Sequence, residues 1–278
     1  MLKNLFTLLA GITFLASCAT EKDYLITIET RHGNMYAVLF DDTPQHKQNF
    51  IDLAENNRYD STEFHRVIEN FMIQGGDVFG KENLPQDEQY TIPAEIHEDR
   101  IHAKGNIAAA RQGDNINPER RSSGTQFYIV HGKVYDLQEL TTDMKRLQES
   151  FMRYTQLESN KDLRERYRQL YEFGDFNGIN DLMISHKEEM ERFFNTNLDK
   201  KLSPLQIEKY TTVGGTPHLD HLYTVFGKIV EGIDVLDKIA AEPTSSNDRP
   251  EEKVFIKVKV DKVAKSRITK DYGYEYHD

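Results

Sequence analysis

The sequence predicts a mainly β fold, a closed antiparallel barrel, with an inserted α-helical subdomain. Three observations carry that prediction. Short runs rich in β-branched and aromatic residues recur along most of the chain, separated by turn residues. Only two helical patterns lie among those runs, and many short strands with few helices suit a barrel, whose closure removes exposed edges. Between Asp136 and about Tyr210 the composition changes: glycine and β-branched residues thin out, and helix-favouring Leu, Met, Glu, Lys, Arg and Gln take over.

At 278 residues the chain can build a sizeable core, enough for one domain plus an elaboration. Tyr24–Thr30 and Met35–Phe40 read as a hairpin about His32-Gly33-Asn34. Thr43-Pro44 marks a helix start with proline at the first helical position, and Phe50, Leu53 and Ala54 share one side of that helix. Phe64–Asp77 has near-alternate spacing and breaks on Gly75-Gly76. Tyr90–Ile96, Gly105–Arg111 and Thr125–Val130 are further strands. In the helical block, Leu140, Met144, Leu147, Phe151, Tyr154 and Leu157 recur at threes and fours as one apolar face. Leu163, Tyr167, Leu170 and Tyr171 mark a second helix, and Gly174–Gly178 breaks it. Ile179–Asn195 gives a third helix, and Ser203-Pro204 caps a last short one. Leu222–Val230 is a strand, Ile233–Ala240 an amphipathic helix, and Val254–Val260 a half-buried final strand.

The first residues read as a targeting segment. Lys3 supplies a positive start, and Leu5–Leu15 is an apolar run too short to span a bilayer as a mature helix. Leu15-Ala16-Ser17-Cys18 resembles a bacterial lipoprotein signal, with cleavage before Cys18 and lipid attachment to it. The expectation is therefore a signal peptide over 1–17, a linker over 18–23 and a lipid anchor at Cys18. That anchor implies a membrane partner in the bacterial cell envelope; Ala19 is compatible with the periplasmic face of the outer membrane. Cys18 is the only cysteine, which rules out an intramolecular disulfide.

Charge narrows the function. A net charge of −11 and a pI near 5.4, with Lys and Arg interspersed among Asp and Glu, argue against a nucleic-acid partner. Ten histidines invite a metal reading, with His97, His102, His218 and His221 near Glu95, Glu98, Asp99 and Asp220. Yet there is no cysteine pair and no His-Glu-x-x-His, so no metal and no cofactor is expected. Ser122-Ser123-Gly124 lacks a nucleophile elbow, and Asp114–Pro118 lacks calcium-loop spacing.

The stretch Phe64-His65-Arg66-Val67-Ile68-Glu69-Asn70-Phe71-Met72-Ile73-Gln74-Gly75-Gly76-Asp77 is the most informative. A guanidinium kept beside Phe71 and Met72 is costly to desolvate and needs a partner or a purpose. This segment, with Ser123–Ile129 and His218–Lys228 after it in the same order, resembles the signature of the cyclophilins, the peptidyl-prolyl cis–trans isomerases. The resemblance covers roughly 24–132 and 211–266 and leaves the helical block unaddressed. It implies an eight-stranded barrel with a helix over each end, split into 24–135 and 211–266 by an insert at 136–210, and followed by a tail at 267–278.

It also implies roles. Arg66 falls on the family's catalytic arginine. Phe71, Met72, Tyr128 and Leu219 fall on the slot for the substrate proline, while Phe64, Ile73 and Phe127 read as core. Gln74, grouped with Arg66 as catalytic, and Gln126 resemble polar contacts to the arginine and the substrate backbone. Ala110, Arg111, His218 and Tyr223 complete the substrate-binding set. Arg111 stands in place of an asparagine, Tyr223 of a histidine, and His218 of a tryptophan common in the family. The implied partners are proline-containing unfolded or partly folded polypeptides; the oligomeric state is open. The alternative is a chaperone or interaction module using Phe151, Phe193 and Phe194 of the helical block, with weak or no isomerase activity.

Overall fold

Hairpin formation opens the described part of the chain, residues 21–276 of the computed structural model. The signal segment 1–17, Cys18 and the start of the linker lie outside the described residues. Strands β1 (Lys22–Thr30) and β2 (Gly33–Leu39) pair antiparallel across Arg31-His32. Ile26, Ile28, Met35, Ala37 and Leu39 face inward, while Leu25 and Val38 belong to a separate cluster on the other face, as the two-residue period requires. Helix α1 (Pro44–Glu55) begins on its proline as expected, but Thr43 does not cap it with its side chain. The Thr43 hydroxyl donates to the Phe40 carbonyl instead. The carboxylate of Glu95 accepts from the backbone N–H groups of Gln45 (3.1 Å) and His46 (3.0 Å). An anion there also complements the helix dipole.

The chain continues through β3 (Thr62–Glu63), β4 (Arg66–Ile68), β5 (Met72–Gly75), α2 (Val78–Glu82), β6 (Thr91–Ile92), β7 (Asn106–Ala109), β8 (Ser122–Ser123) and β9 (Phe127–Val130). Six helices follow: α3 (Leu137–Thr141), α4 (Met144–Tyr154), α5 (Lys161–Phe173), α6 (Phe176–Ser185), α7 (Lys187–Phe194) and α8 (Pro204–Thr212). Strand β10 (Val225–Glu231), α9 (Ile233–Ala240), β11 (Phe255–Ala264) and α10 (Lys265–Tyr272) complete the described fold.

A curled antiparallel sheet dominates, in the order β3-β11-β1-β2-β10-β7-β9-β5-β4, beside a small β6–β8 ribbon. It has nine strands where eight were expected. The difference is a break at Phe64-His65: β3 pairs with β11, β4 pairs with β5, and the buried Phe64 side chain lies between them. The main core fills the sheet interior, and Phe50, Ile51 and Leu53 of α1 and Val235, Leu236 and Ile239 of α9 close onto it.

Local capping divides the helical block more finely than its apolar period suggested. Asp143 accepts from the Arg146 N–H and starts α4, so Leu140 belongs to α3, apart from the Leu147–Tyr154 face. Leu140 packs with Ile101, Ala103 and Tyr210, whereas Leu147, Phe151 and Tyr154 join Ile179, Leu182 and Met190 in a second cluster. The expected Ile179–Asn195 helix is two helices with His186 between them. Phe151 is buried and Phe194 packs against the second cluster, while Phe193 is exposed.

Within the tail expected over 267–278, residues 267–272 belong to α10. Ile268 of α10 is fully buried against Leu25 and Val38, with Tyr272, Tyr274 and Tyr276 packed alongside. An outward Leu and Val on central strands leave apolar area that this helix covers. Among the described residues, no helix is long and apolar enough to cross a membrane.

Candidate active site

Register assembles the site. Arg66 of β4 pairs with Gln74 of β5, Gln74 with Tyr128 of β9, and Tyr128 with Ala108 of β7. Directly paired residues of antiparallel strands share a face, so these four side chains form one row across the sheet. The next row on that face is Ile68, Met72 and Val130. One residue out of phase, Val67, Ile73, Ile129 and Ile107 line the opposite, core face. The two-residue period thereby sorts the signature into a site face and a core face. Phe64, Ile73 and Phe127 lie in the core cluster, as the sequence reading placed them.

The apolar part of the site is a cluster of its own, separate from the core. Met72, Ala110 and Tyr128 are buried there, and Phe71, Leu219 and Tyr223 are half-buried around them. Tyr223 meets Tyr128 edge-on at 5.9 Å between ring centroids, and exposed His218 stacks on Phe71 at 5.6 Å. Predicted slot residues from β5, β9 and the 216–223 turn therefore converge.

Arg66 stands at the rim of this cluster with 43% of its side chain exposed. Among the described residues its one ion pair is long, from Nε to Asp248 Oδ2 at 3.4 Å, and Asp248 is equally exposed. That pair leaves the two terminal nitrogens of the guanidinium outside the contact. Gln74 Nε2 donates to Gln126 Oε1 at 3.0 Å, and Gln126 Nε2 donates to Asp77 Oδ1 at 3.1 Å. Both amides are thus oriented by a chain ending on the residue that caps α2. Gln74 and Arg66 are related by register, and since Gln74 Nε2 donates to Gln126, the Gln74 Oε1 is the atom that can accept from a guanidinium.

The Arg111 side chain is engaged beside the site, leaving its backbone as the part open to a substrate contact. Its guanidinium does not reach into the slot: Nε donates to the Leu222 carbonyl (2.9 Å), Nη1 pairs with Asp114 (2.6 Å), and the group lies over the Tyr223 ring. It fastens the turn that carries Leu219 and Tyr223. A hollow of about 410 Å³ bounded by Glu29, Arg31, Asp60 and Phe255 contains none of the site residues.

The family model described as "Cyclophilin type peptidyl-prolyl cis-trans isomerase/CLD" matches residues 25–167 and 195–260. The chain belongs to the cyclophilins. A Streptococcus pyogenes protein named as a bifunctional phosphatase/peptidyl-prolyl cis-trans isomerase is 31% identical over 236 residues, covering 83% of this chain and 37% of that longer protein. A Staphylococcus epidermidis protein named as a peptidyl-prolyl cis-trans isomerase is 26% identical over 238 residues, covering 83% and 87%. The crystal structure of a Cryptosporidium parvum cyclophilin type isomerase overlaps 87% of this chain and 98% of its own, at 17% identity and a TM-score of 0.49. As a member of that family this chain is a peptidyl-prolyl cis–trans isomerase.

Sequence reasoning missed three groups beside the site. Asp248 comes from a turn 182 residues away in sequence from the arginine it touches. His102 and Asp220, weighed as metal ligands, form a buried hydrogen-bonded pair at 3.0 Å, and His102 Nε2 meets the Tyr128 hydroxyl at 2.8 Å. A tyrosine in the slot, whose hydroxyl must find a partner once buried, was the one signal available.

Buried histidines give a pH prediction. Burial lowers the pKa of His102 and of His46, outweighing the neighbouring Asp220 and Glu95 carboxylates that raise it. In the unfolded chain both titrate near 6.5, so below that pH the unfolded state holds more protons than the native state. Stability contributed by the neutral forms is present above about pH 6.5 and is lost as pH falls through the depressed native values. Thermal melts should show Tm several degrees lower at pH 5 than at pH 7.5. A flat Tm across that window would contradict this reading of both histidines.

Proposed function

We propose that Arg66 is the catalytic donor of this isomerase and that the Phe71–Met72–Ala110–Tyr128–Leu219–Tyr223 cluster receives the substrate proline ring. One observation carries this reading: a half-exposed guanidinium, tethered among the described residues by one long contact, stands in the same cross-strand row as Gln74 and Tyr128. The bond before proline resists rotation by about 18–20 kcal/mol because the nitrogen lone pair is delocalised into the carbonyl. Rotation by a quarter turn returns that pair to the nitrogen. A guanidinium N–H aimed there donates to the twisted state and finds little to bind in the planar one, so stabilisation is confined to the transition state. Gln74 and Gln126, fixed by their mutual hydrogen bond, hold the substrate backbone while the slot holds the ring. No covalent step and no cofactor enters.

The sheet is best described as an eight-stranded closed barrel, with β3 and β4 as one interrupted strand, α1 and α9 over its ends, and α3–α8 as an insertion. In support, the two sheet edges are only Phe64 and His65 apart in sequence, and the family model passes over 168–194. Lys3, the Leu5–Leu15 run and Cys18 support a lipid-anchored protein on the periplasmic face of the outer membrane, acting on unfolded or partly folded clients. Metabolic palmitate labelling of the intact chain, lost in Cys18→Ser, is the expected result; a released, unlabelled wild type would overturn the anchor. For the activity, cis–trans exchange of an Ala-Pro peptide should accelerate in proportion to added protein. An unchanged exchange rate would remove the reading.

The chaperone alternative rests on exposed Phe173, Phe176 and Phe193. Phe151, expected on the same surface, lies in the interior of the helical block, and Phe194 is partly covered by its cluster.

A further inference from the structure

We propose that helix α8 of the helical block is part of the isomerase's working machinery, with Tyr210, Gln206, Asp220 and His102 acting as positioning residues for the Tyr128 ring. The inference rests on the slot assigned above and identifies what holds it in shape.

The connection is continuous and buried. Tyr210 is fully buried on α8, and its hydroxyl donates to Asp220 at 2.7 Å. Gln206, one turn earlier, donates its amide Nε2–H to Asp220 Oδ2 at 2.8 Å, while its Oε1 accepts from the Ser203 N–H in a capping box. Asp220 Oδ1 also accepts from the backbone N–H of His102 at 2.8 Å and faces its Nδ1 at 3.0 Å. On the far side of the ring, His102 Nε2 meets the Tyr128 hydroxyl at 2.8 Å.

Proton placement follows from these partners. Burial pushes the Asp220 carboxyl up, but hydrogen bonds from His102, Gln206 and Tyr210 together outweigh it and hold its pKa low. Asp220 is therefore an anion that only accepts. His102, kept neutral by burial, carries its proton on Nδ1 and offers Nε2 as acceptor. Tyr128, its phenol pushed well up by burial, is the donor to that nitrogen. Each group can make its contact in one protonation pattern, and such a satisfied network is stiff.

Geometry then ties the network to the slot at two places. Tyr128 is its floor, lying nearly parallel to the His102 ring at 15°. Asp220 directly follows Leu219 in the chain, so the same carboxylate that orients His102 also fixes the turn bearing His218 and Leu219. Thr216 adds a clamp, its N–H donating to the His102 carbonyl at 2.9 Å. Side chains locked by such outer contacts hold a site to tolerances it could not keep alone.

Tyr210→Phe preserves the packed ring and removes only the hydroxyl. Because the slot grips the proline ring in planar and twisted states alike, its loosening weakens binding in both. On an X-Pro peptide, KM should rise about five-fold while kcat changes less than about two-fold. The deciding measurement is a double-mutant cycle with Tyr128→Phe, which cuts the last link. In that background Tyr210→Phe should raise KM less than about two-fold, through the Leu219 turn alone. Equal KM effects in both backgrounds, or none in the wild type, would overturn the proposal and reduce α8 to a structural prop. Should Tyr210→Phe not fold, Gln206→Met, which removes the amide donor to Asp220, is read in the same cycle. A wild type with no isomerase activity would instead remove the slot assignment itself, so the two failures are distinguishable.

Discussion

Arg66→Ala is expected to lower kcat/KM for an X-Pro peptide by about 10²- to 10³-fold, which corresponds to roughly 3–4 kcal/mol of transition-state stabilisation. The size follows from the task. Taking exchange from about 20 s to about 20 ms requires roughly 4 kcal/mol. The proposed mechanism has no covalent step and assigns most of it to the charged hydrogen bond to the pyramidal nitrogen, since such bonds are stronger than neutral ones. The fold should tolerate the loss. Arg66 is 43% exposed, and its pair with Asp248 at 3.4 Å is a surface contact of little value to stability. Unchanged circular dichroism and Tm with lost kcat is therefore the expected pattern. Arg66→Lys should recover only part of the rate, because an ammonium keeps the charge but not the planar fork of donors. An Arg66→Ala protein with more than about a tenth of wild-type kcat/KM would remove the arginine from the mechanism.

How much of this was legible in the sequence depends on the distance over which each feature is encoded. Period-two alternation is local, and along β5 and β9 it agrees with the division that the family resemblance implied, with Met72, Gln74 and Tyr128 on one face and Ile73 and Phe127 in the core. Helix existence was legible for the same reason, but helix limits were not. The run from Leu140 to Leu157 keeps its apolar spacing across a break imposed by the Asp143 side chain and by Thr142 bridging to Asp199. Arg111 shows a different limit. Its charge was visible, but its partners are the Leu222 and Gln112 carbonyls, Asp114 and the Tyr223 face, and only the fold decides that these consume it. The buried network is least legible of all, since His102, Tyr128, Gln206, Tyr210 and Asp220 come from four separate parts of the chain. Each taken singly looks like an ordinary polar residue.

Gly215→Ala is the second large effect expected, and it acts on the seam where the helical block leaves and rejoins the sheet. Gly132 and Gly215 meet there: a Cβ built on Gly132 would lie 2.3 Å from the Gly215 Cα. Gly215 exchanges backbone hydrogen bonds with Lys133, and the next residue, Thr216, bonds the His102 carbonyl. A Cβ on Gly215 itself would lie 2.2 Å from that carbonyl oxygen and 2.5 Å from the Tyr210 ring, at a backbone φ of +155°. Neither obstacle is the free end of a flexible side chain. Relief requires moving backbone or displacing a fully buried ring, so a loss of about 3 kcal/mol or more is expected, at the upper end for single substitutions. For a domain of this size that is a fall in Tm of about 6–12 °C. Gly113→Ala is the matched control, since its added Cβ meets nothing within 4 Å, and it should stay within about 0.5 kcal/mol of wild type. Because the obstructed atoms are the His102 carbonyl and Tyr210, surviving Gly215→Ala protein should also show a raised KM. Equal melting of both variants would mean the two strands of the seam can part without cost, and that α8 and the slot are not held in register through it.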